Sequence, residues 1–289
     1  MMDSELTRSR QPLQVAELRA LSPQWSQVDV VESTGSTNMD VKKLAAAGAP
    51  HRSAVVASSQ SAGRGRLGRR WESPPGAAIA LSALFRPRNL DLSQLGVLPL
   101  VCGVAVVDML TNTAGLSRAQ VSLKWPNDVL VEGRKIAGIL VEAASLSPVA
   151  LIPGIGLNVS LRESELPVAH ATSLLLAGAT NLDRTELAAA LLRALATREQ
   201  QWEEHDRQLM ADYRALCDTL GREVKVELPG SQELRGRAVE VLSTGELVVD
   251  VAGQRHVVAA GDVFHLRSAE GEYASQSEDK EGGSGLSPR

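Results

Sequence analysis

An arginine- and glycine-rich segment, SAGRGRLGRRW at residues 61–71, contains four arginines and three glycines. Guanidinium groups form paired hydrogen bonds with carboxylates and phosphates, and glycines allow the backbone to bend closely around a ligand. The segment therefore indicates a flexible, cationic loop that closes over one small anionic ligand. The alternatives are a solvated charged loop and an RNA-binding arginine patch, although such patches are usually spread along a face or repeated.

The glycines of this loop also fit the spacing G-x-G-x-x-G of a dinucleotide-binding turn. That turn has to open a helix whose N-terminus holds a pyrophosphate. Here Pro74, Pro75 and Gly76 follow, which argues against a helix at this point. The chain also lacks the G-x-x-x-x-G-K-[ST] pattern of a P-loop. Both classes of nucleotide site are therefore disfavoured.

A second candidate is Lys124 in KWPNDVL, where it ends a strand-like run between Leu123 and Trp125. We expect its aliphatic stem to be buried and its ammonium to face a cavity, as a local cation for a phosphate or carboxylate. The alternative is an edge-strand lysine followed by a simple Pro-Asn-Asp turn.

Two polar motifs complete the candidate chemistry. Ser36 and Thr37 in STN suit a helix N-cap, but hydroxyl and amide groups there can also bind a polar neutral group such as a urea. In GIGLNV, two glycines let a ligand approach the backbone, and the amide of Asn158 could meet a purine edge. Glycines within a strand also mark bulges, so this motif is weak alone.

The elements that must position these residues follow from hydrophobic periodicity and turn signals. We predict helices at 35–48, 93–114 and 182–216, and strands at 53–60, 77–85, 121–125, 128–132, 135–144 and 149–161. After residue 217, short valine-rich runs alternate with glycine turns, which predicts a small antiparallel β-barrel. The predicted organisation is an extension at 1–27, a mixed α+β domain at 28–217, a β domain at 218–267 and a disordered tail at 268–289.

Composition limits the function classes. The chain has 289 residues, 44% of them hydrophobic, and a net charge of -4, so no global basic field favours nucleic acid. Cys102 and Cys217 have no metal-site or disulfide-framework spacing. The N-terminus lacks an apolar signal core, and the longest apolar run, at 95–110, is expected to be too short for a membrane span. We expect a cytoplasmic protein with no membrane partner, no DNA partner and no metal ligands of its own.

In combination, STN, QSAGRGRLGRRW, KWPNDVL, KIAGILVE and GIGLNV closely resemble the bacterial biotin–protein ligases over residues 30–267. The resemblance implies a mixed-sheet α+β core, as in class II aminoacyl-tRNA synthetases, with a C-terminal SH3-like β-barrel. It implies ATP-dependent attachment of biotin to a lysine of a biotin carboxyl carrier protein through biotinyl-5′-AMP, with Mg²⁺. A homodimer is compatible with it. About 35 residues precede STN, so we expect the ligase-only type without a DNA-binding domain.

The resemblance also implies roles for individual residues. Expected biotin contacts are Ser36, Thr37, Asn38, Gln60, Gly63, Arg64, Gly65, Arg66, Lys124 and Gly138; expected ATP or adenylate contacts are Arg66, Trp71, Lys124, Lys135 and Asn158. Lys124, Arg64 and Arg66 are the expected catalytic residues. Leu67 stands where some relatives carry arginine, which leaves the role of that position open. The alternative functions are a lipoate or octanoate ligase or transferase of the same superfamily, and a nucleic-acid-binding regulator with a basic loop.

Overall fold

The structure is a computed structural model, which describes residues 9–88, 90–228 and 232–266. The predicted disordered tail lies outside the described residues, as does the start of the N-terminal extension. The α-helices are α1 (Val15–Ala20), α2 (Thr37–Ala46), α3 (Leu98–Asn112), α4 (Arg184–Glu203) and α5 (Arg207–Leu216).

The first seven strands form one mixed sheet in the order β1-β2-β3-β7-β6-β5-β4. These strands are β1 (Gln27–Thr34), β2 (Ser53–Gln60), β3 (Ala78–Leu84), β4 (Val121–Lys124), β5 (Asp128–Val131), β6 (Arg134–Leu146) and β7 (Val149–Asn158). β1 and β2 are parallel and the other neighbours are antiparallel. This confirms the predicted α+β class. Sequence analysis missed β1, an edge strand that is mostly half-buried or exposed and so carries little apolar signal.

Helices cover both faces of this sheet. Val55 and Ile152 pack with Val41 of α2 on one face, whereas the neighbouring Ala54 and Val56 belong to the main core on the other. α3 packs on the second face together with α4 and α5. Because both faces of β2 are covered, its first six residues are all buried, and its apolar residues 54–57 follow one another without alternation.

The apolar run around α3 is longer than expected from sequence. A 3₁₀ turn at Leu92–Val97 leads directly into the helix, and the combined stretch Leu92–Asn112 is long and apolar enough to cross a membrane by length and composition alone. The expectation that the run is too short is therefore wrong. Within the apolar 18-residue window of this stretch, 67% of the residues are buried in the protein, and a helix buried in a protein core is also apolar.

The periodic stretch at 182–216 forms two helices. His205 adopts a positive φ of 53° between them, and the Asp206 carboxylate caps α5 by accepting from the Gln208 N–H at 2.9 Å. The apolar period continues across this break because α4 and α5 both pack on the core, so periodicity gave no sign of the turn.

The last five strands form an antiparallel sheet in the order β11-β10-β9-β8-β12, which confirms the predicted small β unit. They are β8 (Glu223–Leu228), β9 (Gln232–Val241), β10 (Leu247–Val251), β11 (Gln254–Val258) and β12 (Asp262–His265). The end of β4 is fastened to this part of the chain, since Trp125 donates from its indole to the Gly245 carbonyl at 2.9 Å and from its backbone to Thr219 Oγ1 at 3.0 Å. These bonds fix the strand end that carries Lys124.

We predict that protonation of His265 weakens the fold in acid. Burial, followed by the charge of Lys124, lowers the pKa of His265 from 6.5 to about 4. The unfolded chain therefore takes up a proton as the pH falls below 6.5, whereas the folded protein does so only near pH 4. The contribution of His265 to stability is complete above pH 6.5 and falls by up to about 3 kcal/mol toward pH 4.

Urea unfolding at pH 7.5 and pH 4.5 checks this prediction. The free energy of unfolding of His265→Gln should fall less between the two pH values than that of the unsubstituted protein, because glutamine does not titrate. Equal falls in both proteins would contradict the prediction.

Candidate functional site

One cross-strand row of the mixed sheet gathers the candidate residues on a single face. Lys124 pairs with Asp128, Asp128 with Gly138, Gly138 with Gly156, and Gly156 with Ala80. Directly paired residues project to the same face of a sheet. This is the face covered by α2, since β7 residues from Ile152 onward alternate and Ile152 packs against that helix. Small residues thus form the floor of the site, with charged residues at its edge.

The indole of Trp71 lies directly on the glycine floor. A Cβ on Gly156 would overlap the indole, and one on Gly138 would lie 3.0 Å from Cζ3. Lys135 Nζ is 5.9 Å from the ring centroid. The indole N–H is buried, and within the described residues it has no hydrogen-bond partner. Gly138 and Gly156 are therefore needed for the approach of this side chain, which occupies the space over the floor.

The two lysines of the site differ in how their charges are balanced. Lys135 Nζ lies 2.6 Å from Asp128 Oδ1. Across the described ranges, no carboxylate lies within ion-pair distance of Lys124, whose ammonium faces the ring of Phe264 at 5.8 Å. Burial lowers the pKa of Lys124, and although Asp128 opposes this shift, Lys135 and Arg69 add to it. Lys124 is therefore a desolvated cation that an incoming anion would stabilise.

The arginine loop folds as a short hairpin rather than as a helix start. The Gly65 N–H donates to the Arg69 carbonyl at 2.7 Å, and the Trp71 N–H donates to the Gly63 carbonyl at 3.0 Å. A Cβ on Gly63 would overlap the Trp71 carbonyl. The tip residue Leu67 has a φ of 54° and is 75% exposed. This pairing places Trp71 over the floor and carries the arginines to its rim.

Arg66 and Arg69 dock the hairpin on two distant segments. Arg66 donates to Asn127 Oδ1 at 3.2 Å and to the Gly261 carbonyl at 3.1 Å. Both arginines also pair with Asp262, the first residue of β12. Arg64, in contrast, is exposed to solvent. The structure therefore brings Arg66 into the site but not Arg64.

The STN motif is not a simple N-cap. Ser36 occupies the N-cap position, but its side chain makes no capping hydrogen bond. Gln60 Oε1 instead accepts from the Thr37 N–H at 2.8 Å and lies 3.1 Å from Thr37 Oγ1. Asn38 lies against Gly154, where any Cβ would overlap its amide. The motif thus borders the same floor as Trp71.

At the end of β7, Asn158 is only 2% exposed, and its amide donates to the Thr172 carbonyl at 2.9 Å. The carbonyl oxygen of its side chain is therefore the group that could meet a ligand donor.

Asp262 and Phe264 were missed by sequence analysis, because they are far along the chain from the motifs that they contact. Asp128 is part of KWPND, but it was considered only within the alternative Pro-Asn-Asp turn.

We predict that Gly156→Ala expels Trp71 from the floor, because the new Cβ would overlap the indole. Trp25, Trp125 and Trp202 are at most 7% exposed, so added quenching of tryptophan fluorescence by acrylamide would report Trp71. Gly65→Ala is the control, since its Cβ would meet nothing closer than 3.6 Å. Equal quenching in both variants would contradict this placement.

We predict that Asp262→Asn loosens the hairpin, because the variant loses the charge that pairs with Arg66 and Arg69. Trypsin cleaves after arginine, so limited proteolysis should nick residues 64–70 several-fold faster in this variant. Glu233→Gln is the control, since Glu233 pairs with Arg235 in the same small sheet. Unchanged cleavage in Asp262→Asn would show that the ion pairs do not hold the loop.

Comparison with known proteins identifies relatives of this chain. Residues 29–158 match the Biotin/lipoate A/B protein ligase family, and residues 219–266 match the biotin protein ligase C-terminal domain. The chain is 44% identical over 265 residues to the biotin–[acetyl-CoA-carboxylase] ligase of Mycobacterium tuberculosis, which covers 90% of this chain and 98% of the relative. It is 34% identical over 221 residues to the bifunctional ligase/repressor BirA of Escherichia coli, covering 75% and 67% of the two chains.

Solved structures show the same relationship. The biotin protein ligase of Aquifex aeolicus in complex with biotin and ATP superposes with a TM-score of 0.71 at 29% identity, over 84% of this chain and all of that one. The Leishmania major enzyme in complex with biotinyl-5-AMP gives a TM-score of 0.59 at 26% identity, over 84% and 99%. The sequence relatives, the two matched family regions and the shared fold together show that this chain belongs to the biotin protein ligase family.

Proposed function

We propose that this enzyme attaches biotin to a lysine of a biotin carboxyl carrier protein, with ATP consumed through a biotinyl-5′-AMP intermediate. The observation that carries the proposal is Lys124, a desolvated cation without a carboxylate partner among the described residues, at the edge of a glycine floor. The similarity to an Aquifex aeolicus ligase that binds biotin and ATP supports the assignment of substrates.

In the first step, a carboxylate oxygen of biotin attacks the α-phosphorus of ATP, and the bond to the β,γ-pyrophosphate breaks. Two anions must meet, and at 4 Å a like-charge pair costs about 4 kcal/mol at an effective dielectric of 20. Lys124 and Arg66 offset this repulsion. Lys135 contributes less, because Asp128 already neutralises much of its charge.

In the second step, the amine of the carrier lysine attacks the carbonyl carbon of the mixed anhydride. The new C–N bond forms as AMP leaves, and the amine releases a proton. The anhydride must be kept from water until the carrier arrives. We propose that the arginine hairpin provides this cover, because Arg66 and Arg69 already hold it against β12 over the floor.

The roles expected from the resemblance become proposals for the positions just described. Biotin would contact Ser36, Thr37, Asn38, Gln60, Gly63, Gly65, Arg66, Lys124 and Gly138, and the adenylate would contact Arg66, Trp71, Lys124, Lys135 and Asn158. The shared sheet face supports this grouping. A ligand that reaches the glycine floor has to displace the indole of Trp71. The exposed Arg64 would have to move toward the floor to join them.

Mg²⁺ is proposed to enter with the phosphates of ATP. Mg²⁺ in phosphoryl-transfer sites keeps several waters and is bound chiefly through substrate oxygens. Within the described residues, no group of three or more histidine, cysteine or carboxylate side chains could hold a metal ion.

Several wider assignments stay predictions. They are the cytoplasmic location, the homodimer, the lack of DNA and membrane partners, and the division of the chain after residue 217. The carrier protein is inferred from the named activity of the Mycobacterium tuberculosis relative.

A direct test mixes the purified chain with ATP, Mg²⁺, biotin and a carrier domain and measures the carrier mass. A mass increase with biotin supports the proposal, and one only with lipoic acid would favour the alternative ligase.

We predict that Lys124→Ala slows adenylate formation by about 100-fold or more, since one charge-stabilising group at the reacting centre is removed. Pyrophosphate release with biotin and ATP measures this step. Lys225→Ala is a matched control, because Lys225 lies over the same Phe264 ring at 4.7 Å but pairs with Glu227 at 2.9 Å. Both variants should keep the melting temperature. Similar rates in the two variants would contradict the role of Lys124.

A further inference from the structure

A chain of four polar side chains runs beside the glycine floor. Asn38 donates from Nδ2 to Glu142 Oε2 at 2.6 Å. Asn38 Oδ1 lies 2.6 Å from Ser82 Oγ, and Ser82 Oγ lies 2.7 Å from Thr37 Oγ1. Ser82 is fully buried, and Thr37 and Asn38 are 3% and 7% exposed. These hydrogen bonds are therefore protected from competition with water.

The chemistry of the groups sets the direction of each bond. A carboxylate only accepts hydrogen bonds, so the atom of Asn38 that faces Glu142 must be the NH₂ group, and the amide oxygen must face Ser82. That oxygen also only accepts, so the single hydroxyl proton of Ser82 points to Asn38. Ser82 Oγ then has only lone pairs left for Thr37, and the Thr37 hydroxyl must donate to it.

Gln60 offers Thr37 an alternative acceptor, but the geometry opposes it. Gln60 Oε1 is farther from Thr37 Oγ1, at 3.1 Å, and already accepts from the Thr37 N–H at 2.8 Å. If the hydroxyl turned to Gln60, the oxygens of Thr37 and Ser82 would face each other at 2.7 Å with no proton between them. The hydroxyl proton of Thr37 is thus committed to Ser82.

Glu142 ends this series of hydrogen bonds with a group that can only accept. Within the part of the protein that the structure describes, no lysine or arginine lies within ion-pair distance of Glu142, and its hydrogen bond to Asn38 is charge-assisted. Gly154 lies opposite Ser82 in the sheet, and it leaves room for the Asn38 amide to reach both neighbours.

We propose that Glu142 and Ser82 are positioning residues that orient the Thr37 hydroxyl to accept a hydrogen bond from a ureido N–H of biotin. The proposal rests on the proposed function. With its proton committed to Ser82, Thr37 Oγ1 offers a ligand only lone pairs. A ligand N–H is matched by this orientation, whereas a ligand carbonyl is not. These four hydrogen-bonded side chains therefore contribute to the selection of an acid that carries a ureido group over other small acids.

The test compares biotin with biotin methylated at one or the other ureido nitrogen, by calorimetry. Ser82→Ala and Glu142→Ala should weaken biotin binding by about 10- to 100-fold, as expected for a hydrogen bond that loses its orientation. They should also reduce the preference for biotin over the methylated compound that lacks the critical N–H. In turnover assays, the KM for biotin should rise while kcat stays similar.

Two variants serve as controls. Ser53→Ala removes a hydroxyl that is equally buried and donates to the Pro50 carbonyl at 2.7 Å, on a strand of the same sheet. It should leave biotin binding unchanged. Glu142→Gln keeps an oxygen that can accept from Asn38, so it should retain most of the affinity and the preference. Melting temperatures identify any variant that fails to fold, and half-buried Glu142 then carries the test in place of Ser82.

The outcomes separate the two hypotheses. If the unsubstituted protein does not bind biotin, the proposed function fails. If it binds biotin but folded Ser82→Ala and Glu142→Ala bind it as Ser53→Ala does, the positioning role is overturned. Equal weakening of biotin and both methylated compounds would also overturn it, because that result indicates a general disturbance of the site.

Discussion

Mutual repulsion among cations is the constraint that organises this site. Lys124, Lys135, Arg66 and Arg69 converge at one edge of the mixed sheet, where burial deprives Lys124 and Arg66 of water. Asp128 balances Lys135, and Asp262 balances the two arginines, but Lys124 has no carboxylate partner in the described residues. An anionic ligand would therefore complete the charge balance at Lys124. This explains why a protein with a net charge of -4 keeps such a concentrated basic site.

The two sheets meet this constraint together. The large sheet supplies a floor of glycines and the strand end that carries Lys124, and the small sheet supplies Asp262 and Phe264 against that cation cluster. Trp125 fastens the two sheets to each other through its indole and its backbone. The C-terminal strands are thus a wall of the site rather than a separate appendage. The arginine hairpin spans both parts, so its position depends on each of them.

Much of the fold was accessible from sequence because buried strands and helices carry strong apolar patterns. The elements around KWPND, KIAGILVE and GIGLNV were predicted with nearly correct bounds. β1 was missed because an edge strand needs few apolar residues, and the break at His205 was missed because the apolar period continues through it. Site contacts were harder to predict. Local motifs identified Lys124, but its setting depends on Phe264, which is more than a hundred positions away. Ser82 and Glu142 are also far apart in sequence and are linked only through Asn38. No short pattern encodes such pairings.

The most direct test of the central claim is the pKa of Lys124 itself. NMR titration of the labelled lysine side chain, with and without a non-hydrolysable analogue of the adenylate, measures how the site balances that charge. In the free protein, the pKa of Lys124 is expected below the ordinary lysine value, because burial disfavours the ammonium. This pKa is expected to rise when the anionic analogue binds. An ordinary pKa that does not change with the analogue would contradict the account.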